Sequence, residues 1–169
     1  MTDLRFRPVT EDDLVYFRRL STDAEFLGLD WHGFRSPAPY ERRFADDGFL
    51  GGDESWLVVE RDSTAVALVN WGKGKPAGLE IGILVFPEWR RQGIGWRAQA
   101  MLCDYLFAYQ PVQRIYAGTH PENVAEQKAL EKAGFHFEGA LRAVDFRAGR
   151  WHDCLIYSRL RTDPAPVTD

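Results

Sequence analysis

Two glycines at the start of a helical segment constrain the fold of this chain more than any other feature. Residues 87–100 read PEWRRQGIGWRAQA, in which Gly93 and Gly95 precede an amphipathic run. Glycine lets another molecule approach the main chain closely. The first turn of a helix offers unpaired N–H groups and the positive end of the helix dipole, and both attract phosphate. The segment therefore predicts a turn and a helix start that hold an anion.

Length and charge limit the classes of protein to which the chain can belong. With 169 residues, 45% of them hydrophobic, we expect a single domain over residues 1–161. Residues 162–169 are expected to form a disordered tail. The formal net charge of −4 argues against nucleic acid as a partner and favours a cationic substrate.

Cysteine usage and hydropathy indicate the compartment. Cys103 and Cys154 stand in apolar surroundings without CxxC or histidine-rich spacing, which argues against a disulfide framework and against a metal site. The first ten residues lack an apolar signal core, and no apolar run approaches the ~20 residues of a membrane span. We expect a cytoplasmic protein with neither a metal ion nor a membrane partner.

The first half of the chain predicts strands on either side of an irregular, aromatic stretch. LRFRPV indicates a first strand, and Thr10 and Asp13 have the capping-box spacing of a helix start. The irregular stretch contains a short helix that begins near Pro37. Residues 55–71 predict two strands around a turn at Asp62 and Ser63, and GLEIGILVF predicts a third. We expect these three strands to form an antiparallel meander.

The second half predicts a helix, a strand, a helix and a hairpin. The long helix ends at Pro111, and RIYAG forms the strand after it. The next helix begins at Asn123, with Glu126 at capping-box spacing, and ends at Gly134, while Gly149 lies in the hairpin turn. This order of elements indicates an α+β domain. The predicted core face of the long helix carries Ala98, Leu102, Tyr105, Leu106 and Tyr109.

Several segments together resemble a known family. VFPEWRRQGIG, followed by a helix, a strand and NVAEQKALEKAGFHFEG, resembles the acetyl-coenzyme A (acetyl-CoA) binding core of the GNAT superfamily of N-acetyltransferases. LEIGILVFPEWRRQGIG and the closing GRWHDCLIYSRL are similar to its ribosomal-protein N-terminal acetyltransferase-like branch. The resemblance implies a mixed sheet of about seven strands flanked by helices. It also implies a cofactor cleft where the fourth and fifth strands splay apart.

The resemblance assigns the residues that hold acetyl-CoA. In the family, the pantetheine arm pairs with the end of a strand much as another strand would. The pyrophosphate accepts hydrogen bonds from backbone N–H groups of the glycine-containing turn, and an asparagine at the next helix contacts the arm or the acceptor. The implied cofactor residues are Ile83, Leu84, Val85, Arg90, Arg91, Gln92, Gly93, Ile94, Gly95, Trp96 and Asn123.

Simpler explanations of these residues stay open. Gly93 and Gly95 can serve only to cap the helix or to permit a tight turn, and Asn123 can serve only as a helix N-cap. A dinucleotide-binding GxGxxG motif is excluded, because the flanking strands do not alternate with crossover helices. The GGDE of residues 51–54 is interpreted as a chance match to a nucleotide cyclase motif.

Acetyl transfer from a thioester to an amine needs a base, because an alkylammonium group with a pKa near ~10.4 is not a nucleophile at neutral pH. Glu80 is the first candidate, since it shares a strand face with a glycine and many similar proteins carry glutamate there. An exposed strand residue, or one that pairs with an arginine, is nearly as good an explanation of Glu80. His120 is the second candidate, as base or orienting group, although a solvated loop histidine explains it equally well. The backbone N–H of Leu84 or Val85 would stabilise the oxyanion.

The acceptor site has no contiguous motif. Trp31, His32 and Phe34 of the aromatic stretch, together with Trp71, are predicted to line it. If these rings and that of Tyr40 converge, they close a small-molecule pocket, whereas an open groove would suit a peptide.

Two positions depart from the family pattern. Leu130 stands where many relatives have a tyrosine whose hydroxyl can protonate the departing thiolate, and Glu126 stands where relatives often have serine. A thiol has a pKa near ~8.5, so the loss of the tyrosine should slow the reaction rather than prevent it. Helix capping is the simplest explanation of Glu126.

The sequence thus predicts an acetyl-CoA-dependent N-acetyltransferase that acts on a primary amine of a small molecule or of a protein N-terminus. Two alternatives stay open: a non-catalytic module that binds acyl-CoA, which Leu130 favours, and an acyltransferase that uses a carrier-protein thioester. Exposed hairpin edges often pair in the superfamily, so a homodimer is expected by analogy.

Overall fold

A seven-stranded mixed sheet forms the centre of the molecule. The computed structural model describes residues 4–75 and 77–166. The strands lie in the order β1-β2-β3-β4-β5-β7-β6, and every neighbouring pair is antiparallel except β4 and β5. This confirms the predicted α+β class and mixed sheet. The strands are β1 (Leu4–Arg7), β2 (Glu54–Arg61), β3 (Thr64–Lys73), β4 (Leu79–Val85), β5 (Arg114–Thr119), β6 (His136–Arg147) and β7 (Arg150–Leu160).

Five α-helices accompany the sheet in the described chain. Short 3₁₀ turns at Glu11–Asp13, Gly28–Asp30 and Pro87–Trp89 connect them to neighbouring segments. The predicted capping box at the first helix is present, with the Thr10 N–H donating to Asp13 Oδ2 at 2.8 Å. The helices are α1 (Leu14–Thr22), α2 (Ala24–Leu27), α3 (Ala38–Asp47), α4 (Ile94–Tyr109) and α5 (Val124–Lys132).

Both predicted hairpins form around left-handed turn residues. Asp62 and Ser63 have φ values of 50° and 63°, and Ala148 and Gly149 have φ values of 49° and 79°. Two successive residues at positive φ make the type I′ turn, whose twist matches that of the flanking strands. The meander β2-β3-β4 and the final β6-β7 hairpin are therefore confirmed.

Each face of the sheet buries its own hydrophobic core. One core packs α4 and α5 against the sheet, and the second core includes Phe17 of α1 and Phe86 after β4. The predicted core face of α4 is confirmed at Ala98, Leu102 and Leu106, which are fully buried. Tyr109 is 73% exposed, so the prediction was wrong there. Amphipathic spacing gives the direction of a side chain, but Tyr109 is the last helical residue, where its ring packs against Tyr105 and stays exposed.

The sheet opens between β4 and β5, as predicted. Leu79 pairs with Ile115 and Glu80 with Tyr116, and no later residue of β4 has a partner on β5 among the described residues. On its other side, β4 pairs with β3 along its full length. The second half of β4 therefore forms one wall of a cleft, and α4 begins just beyond that strand.

The chain after β7 is described only in part. Within the predicted tail, the Asp163 N–H donates to the Leu160 carbonyl at 3.1 Å, and Asp163 Oδ2 accepts from the Leu160 N–H at 2.8 Å. Residues 167–169 lie outside the described residues, so disorder of residues 162–169 stays a prediction. Cys103 and Cys154 are free thiols. Among the described residues, no helix is long and apolar enough to cross a membrane, and no three His, Cys, Asp or Glu side chains cluster as metal ligands would.

Candidate active site

Two adjoining cavities lie along the open half of β4. The first, of about 610 Å³, extends over the start of α4 and along α5, and we call it the donor cavity. The second, of about 540 Å³, lies against β3, β4 and β5, and we call it the acceptor cavity. Asp30, Ile83, Asn123 and Glu126 line both of them. A molecule in one cavity can therefore meet a molecule in the other at these four residues.

The donor cavity depends on main chain at the start of α4. Gly93 has a φ of 74° and caps the helix without any side-chain hydrogen bond to the first turn. Within the described residues, no side-chain cap therefore competes with a ligand for the N–H groups of that turn. A Cβ at Gly95 would lie 3.8 Å from Val85 Cγ2 and 3.9 Å from Ala129 Cβ. The missing side chain therefore keeps a channel open between β4 and α5. A phosphate at the helix start, with an arm along β4, fits this arrangement.

Cationic side chains surround the donor cavity. Arg91 of the turn and Lys128 and Lys132 of α5 line it, and Lys132 Nζ lies 4.5 Å from the centre of the Trp96 ring. These charges complement a phosphate-bearing ligand. Neither lysine was among the predicted cofactor residues, although their four-residue spacing on a helix places them on one side of α5.

The turn residues divide into ligand-facing and structural groups. Arg90, Arg91, Gly93, Ile94, Gly95 and Trp96 line the donor cavity, together with Ile83, Leu84 and Val85. The Arg90 guanidinium, however, donates to the carbonyls of Val85 and Phe26 at 3.1 and 2.8 Å, and so fastens α2 to the turn. Gln92 lies outside the described cavity wall, and its side-chain Oε1 accepts from Arg61 at 2.8 Å. Any phosphate contact from Gln92 would have to come from its main chain.

The acceptor cavity is strongly acidic. Five carboxylates and one ammonium group line it within the described chain. Asn70 fixes one of these carboxylates, since its Nδ2 donates to Glu54 Oε1 at 2.6 Å. A Cβ at Gly82 would lie 2.3 Å from Asn70 Oδ1, so a larger residue there would displace this amide from its present position. The charged residues of the wall are Asp30, Asp53, Glu54, Lys73, Glu80 and Glu126.

Glu80 faces the acceptor cavity, at the last point where β4 still pairs with β5. The Tyr116 hydroxyl lies 3.3 Å from Glu80 Oε2 and accepts from the Lys75 N–H at 3.0 Å. Burial, and then the charge of Glu80, raise the pKa of the Tyr116 hydroxyl, which stays a neutral donor. Glu80 is itself exposed to the cavity. A carboxylate at this location can accept a proton from a molecule in the cavity.

The two candidate histidines hold the 3₁₀ turn at residues 28–30 and the residues after it in place. Buried His120 has Nε2 at 3.1 Å from Asp30 Oδ1, behind the carboxylate that lines the cavities. His32 Nε2 lies 2.6 Å from Asp145 Oδ1 of β6, and this hydrogen bond raises the pKa of His32. His120 therefore stands behind the cavity wall, where it orients Asp30.

The predicted aromatic wall of the acceptor site requires correction. Trp71 is 8% exposed and packs in the core against Tyr105, because its side of β3 faces α4. Tyr40 packs against Phe17 in the other core. The rings of Trp31 and Phe34 contact each other edge to face, with 5.2 Å between the ring centres, and Phe34 is 83% exposed. The rings do not converge, and carboxylates form the pocket in their place.

Glu126 does not cap α5, contrary to the simplest explanation of its position. Asn123 caps the helix alone, with its Oδ1 accepting from the Glu126 N–H at 3.2 Å. The Glu126 carboxylate turns inward, where its Oε1 accepts from buried Gln99 Nε2 at 3.0 Å. Burial of the carboxyl group raises its pKa to about 8. Leu130, one turn later, lies fully buried in the core.

Comparison with known proteins identifies the family of this site. A sequence profile of the acetyltransferase (GNAT) domain matches residues 3–136. The chain belongs to the GNAT acetyltransferase family. The match confirms the predicted family and the predicted enzyme class, an N-acetyltransferase.

Two relatives illustrate the extent of the similarity. The probable N-acetyltransferase YjcK of Bacillus subtilis is 35% identical over 83 residues, which cover 49% of this chain and 46% of that protein. The chain therefore matches about half of that relative. The spermidine N(1)-acetyltransferase of Escherichia coli is 25% identical over 159 residues, which cover 90% of this chain and 83% of that protein.

Two solved structures share the fold. The spermidine N-acetyltransferase from Vibrio cholerae, in complex with CoA and spermine, has a TM-score of 0.82 and 22% identity over 95% of this chain and 96% of that chain. The ribosomal-protein-S5-alanine acetyltransferase from Vibrio fischeri has a TM-score of 0.75 and 20% identity over 98% and 97% of the two chains. These likenesses confirm the GNAT fold.

Proposed function

We propose that this N-acetyltransferase transfers an acetyl group from acetyl-CoA to a primary amine of a small polycationic molecule. The observation that carries the proposal is the acceptor cavity, joined directly to a donor cavity with a cationic rim. Five carboxyl groups and one ammonium group line the acceptor cavity, and four of the carboxyl groups stay charged when Glu126 holds its proton. A single ammonium group needs one counter-charge. The excess of negative charge matches an acceptor with several cationic centres, such as a polyamine.

The residues of the donor cavity fit acetyl-CoA. The first turn of α4 would hold the pyrophosphate, with Gly95 leaving room for the arm between Val85 and Ala129. The arm would follow β4 toward Asn123, where the two cavities meet. Acetyl-CoA supplies the thioester carbon that the amine attacks, and the backbone N–H of Leu84 or Val85 would stabilise the oxyanion.

Glu80 removes the first proton from the acceptor. An alkylammonium group must lose a proton before it can attack, and Glu80 can receive it directly or through water. Tyr116 holds the carboxylate on the cavity side of β4, and His120 orients Asp30 on the opposite wall. The neighbouring carboxylates keep the remaining cationic centres of the acceptor bound while this proton leaves.

A protein N-terminus is the second candidate acceptor. The similarity of the chain to a ribosomal-protein acetyltransferase is one of fold, whereas the relative named spermidine N(1)-acetyltransferase matches 90% of the chain in sequence. A peptide N-terminus carries one ammonium group, which neutralises less of the negative charge of the cavity than a polyamine does. The charge of the cavity therefore favours the polyamine.

An acceptor screen tests the proposal. Thiol release and product mass would be measured with acetyl-CoA and a monoamine, a diamine, spermidine, spermine, and peptides that begin with alanine or serine. We expect kcat/KM to rise with the number of cationic centres. Faster reaction with a peptide than with spermidine would overturn the substrate class. If the protein binds acetyl-CoA but releases no thiol with any of these acceptors, it is a non-catalytic binding module. If it does not bind acetyl-CoA, an acyltransferase that uses a carrier-protein thioester is favoured.

The proposal includes a cytoplasmic homodimer. Free thiols at Cys103 and Cys154 suit a reducing compartment. Strand β6 is an edge of the sheet, and the β6-β7 hairpin exposes large apolar side chains that a second copy would cover. Light scattering on the purified protein tests this, and a strictly monomeric mass would contradict it. The exposed residues are Phe137, Leu141, Val144, Phe146 and Trp151.

A further inference from the structure

We propose that Glu126 is the acid that protonates the sulphur of coenzyme A as it leaves. The inference rests on the proposed function, because it concerns the same reaction. Acetyl transfer must take place where the donor and acceptor cavities meet, and Glu126 is one of the four residues that line both. Because Asn123 caps α5 by itself, helix capping does not explain the glutamate at this position, whereas the location of its carboxyl group does.

The other three shared residues are poorly placed to give the sulphur a proton. Ile83 has no titratable group, and the Asn123 amide is engaged as the N-cap of α5. The Asp30 side chain is 56% exposed and pairs with His120. Leu130, where many relatives have a tyrosine, offers no hydroxyl. Glu126 is the remaining proton carrier at the meeting point.

The surroundings of Glu126 suit a carboxyl group that holds its proton. Gln99 Nε2 donates a hydrogen bond to Oε1 of Glu126, and Oε2 of Glu126 has no hydrogen-bond partner within residues 4–75 and 77–166. Gln99 Oε1 is buried without a partner in the described chain, so a half-turn of the amide would place an acceptor against the carboxyl proton. With a pKa raised to about 8, the group is mainly protonated at neutral pH.

Other charges around both cavities act on the same group. Asp30 raises the pKa of Glu126, after the larger effect of burial. The other carboxylates of the acceptor cavity favour protonation of Glu126, whereas the ammonium group of that cavity opposes it. The cations that the turn and α5 present to the donor cavity also oppose protonation. These groups are Asp53, Glu54, Glu80 and Lys73 in the acceptor cavity and Arg90, Arg91, Lys128 and Lys132 in the donor cavity.

The reaction releases one proton, which Glu80 takes from the ammonium group and returns to water, and the remaining protons balance at Glu126. As the neutral amine nitrogen bonds to the acyl carbon, the carbon–sulphur bond breaks and its electron pair goes to sulphur. Glu126 gives its proton to that sulphur, and coenzyme A leaves as the thiol. The nitrogen carries one excess proton, which passes to the Glu126 carboxylate, so the amide is neutral and Glu126 is protonated again. A thiol pKa near ~8.5 is close to that of Glu126, so the transfer is nearly balanced in energy.

Two measurements test this role, with Glu126→Gln as the variant and Glu131→Gln, at an exposed position of the same helix, as the matched control. The first is infrared titration of the free protein. We expect a carboxylic acid band that is present at neutral pH, disappears as the pH rises through about 8, and is missing in Glu126→Gln. Absence of that band from the wild-type protein at neutral pH would overturn the proposal.

The second measurement is the pH dependence of turnover with acetyl-CoA and spermidine, or the best acceptor of the screen. We expect Glu126→Gln to lower kcat roughly 10-fold or more, with little change in the KM for acetyl-CoA, and to remove the decline of kcat above about pH 8. An unchanged kcat and pH profile would sink the acid role while leaving the proposed function intact. A wild-type protein that releases no thiol with any amine would remove both.

Discussion

The donor and acceptor cavities share a strand but are constructed in opposite ways. The donor cavity depends on the main chain of one continuous turn, on a missing side chain at Gly95 and on cations at its rim. The acceptor cavity depends on carboxylate side chains from the 28–30 turn, β2, β4 and α5, with one ammonium group among them. A ligand common to a whole family can be held by backbone, whereas discrimination among amines requires side chains that can vary.

Gly95→Val gives the largest effect expected from this contrast, and it acts on the donor side alone. The Cβ position already lies 3.8 to 3.9 Å from Val85 and Ala129, so the two further carbons of valine would fill the channel. We expect the affinity for acetyl-CoA, measured by calorimetry, to fall by roughly 100-fold or more.

Gly95→Ala provides the matched control for this substitution. Its single Cβ makes ordinary contacts at those distances, so we expect only a small loss of affinity. The circular dichroism spectrum and melting temperature of both variants should remain close to those of the wild-type protein. Equal affinity for acetyl-CoA in the valine variant and the wild type would remove the assignment of the donor cavity.

The same contrast explains what the sequence could and could not predict. The order of strands and helices and the position of the turn before α4 follow from local patterns, because glycines, caps and strand periodicity act over a few residues. The seven-stranded sheet and its splayed strands were expected only from the resemblance to the GNAT family. The acceptor carboxylates come from segments far apart in the chain. Asp53 and Glu54 stand in the GGDE that was set aside as chance, and only the register of β2 with β3 brings them to the cavity.

Burial and partner choice also lay beyond the sequence. The spacing of Asn123 and Glu126 predicts a reciprocal capping box, but the carboxylate takes Gln99 as its partner from α4, a contact across 27 residues. Trp71 was expected at the pocket because it is aromatic, yet the pleat of β3 directs it into the core. Both outcomes depend on how helices pack on the sheet, which local patterns do not specify.

Glu80→Gln tests the chemistry on the acceptor side. The amide keeps the shape of the side chain near Tyr116 but cannot accept a proton from the acceptor. We expect kcat to fall by about 100-fold, with the affinity for acetyl-CoA unchanged. Glu88→Gln, an exposed position before α4 and outside both described cavity walls, is the control. Full activity of Glu80→Gln across the pH range would exclude Glu80 as the base.

Asp53→Asn combined with Glu54→Gln tests whether charge selects the acceptor. The double variant removes two of the five carboxylates, so we expect the KM for spermidine to rise about 10-fold and that for a monoamine to rise less. The affinity for acetyl-CoA should not change. Asp46→Asn, an exposed position on α3, is the charge control. An equal rise in KM for both amines would show that the negative charge of the cavity does not select the acceptor.

His32→Gln has the smallest expected effect, and it concerns the segment that lines both cavities. The hydrogen bond that His32 donates to Asp145 raises the pKa of His32 above its usual 6.5, so this ion pair stabilises the folded protein fully below that pH. The contribution is lost as the pH rises through the higher pKa of the folded state. The side chain is 30% exposed, and solvent screening limits the effect to less than about 1 kcal/mol. Because glutamine keeps a donor but not the charge, urea unfolding should show the variant less stable at acidic pH and nearly equal to wild type at alkaline pH. If the stability difference between the wild type and the variant instead grows with pH, the ion pair is contradicted. The proposed attachment of the segment after the 28–30 turn to β6 is then contradicted as well.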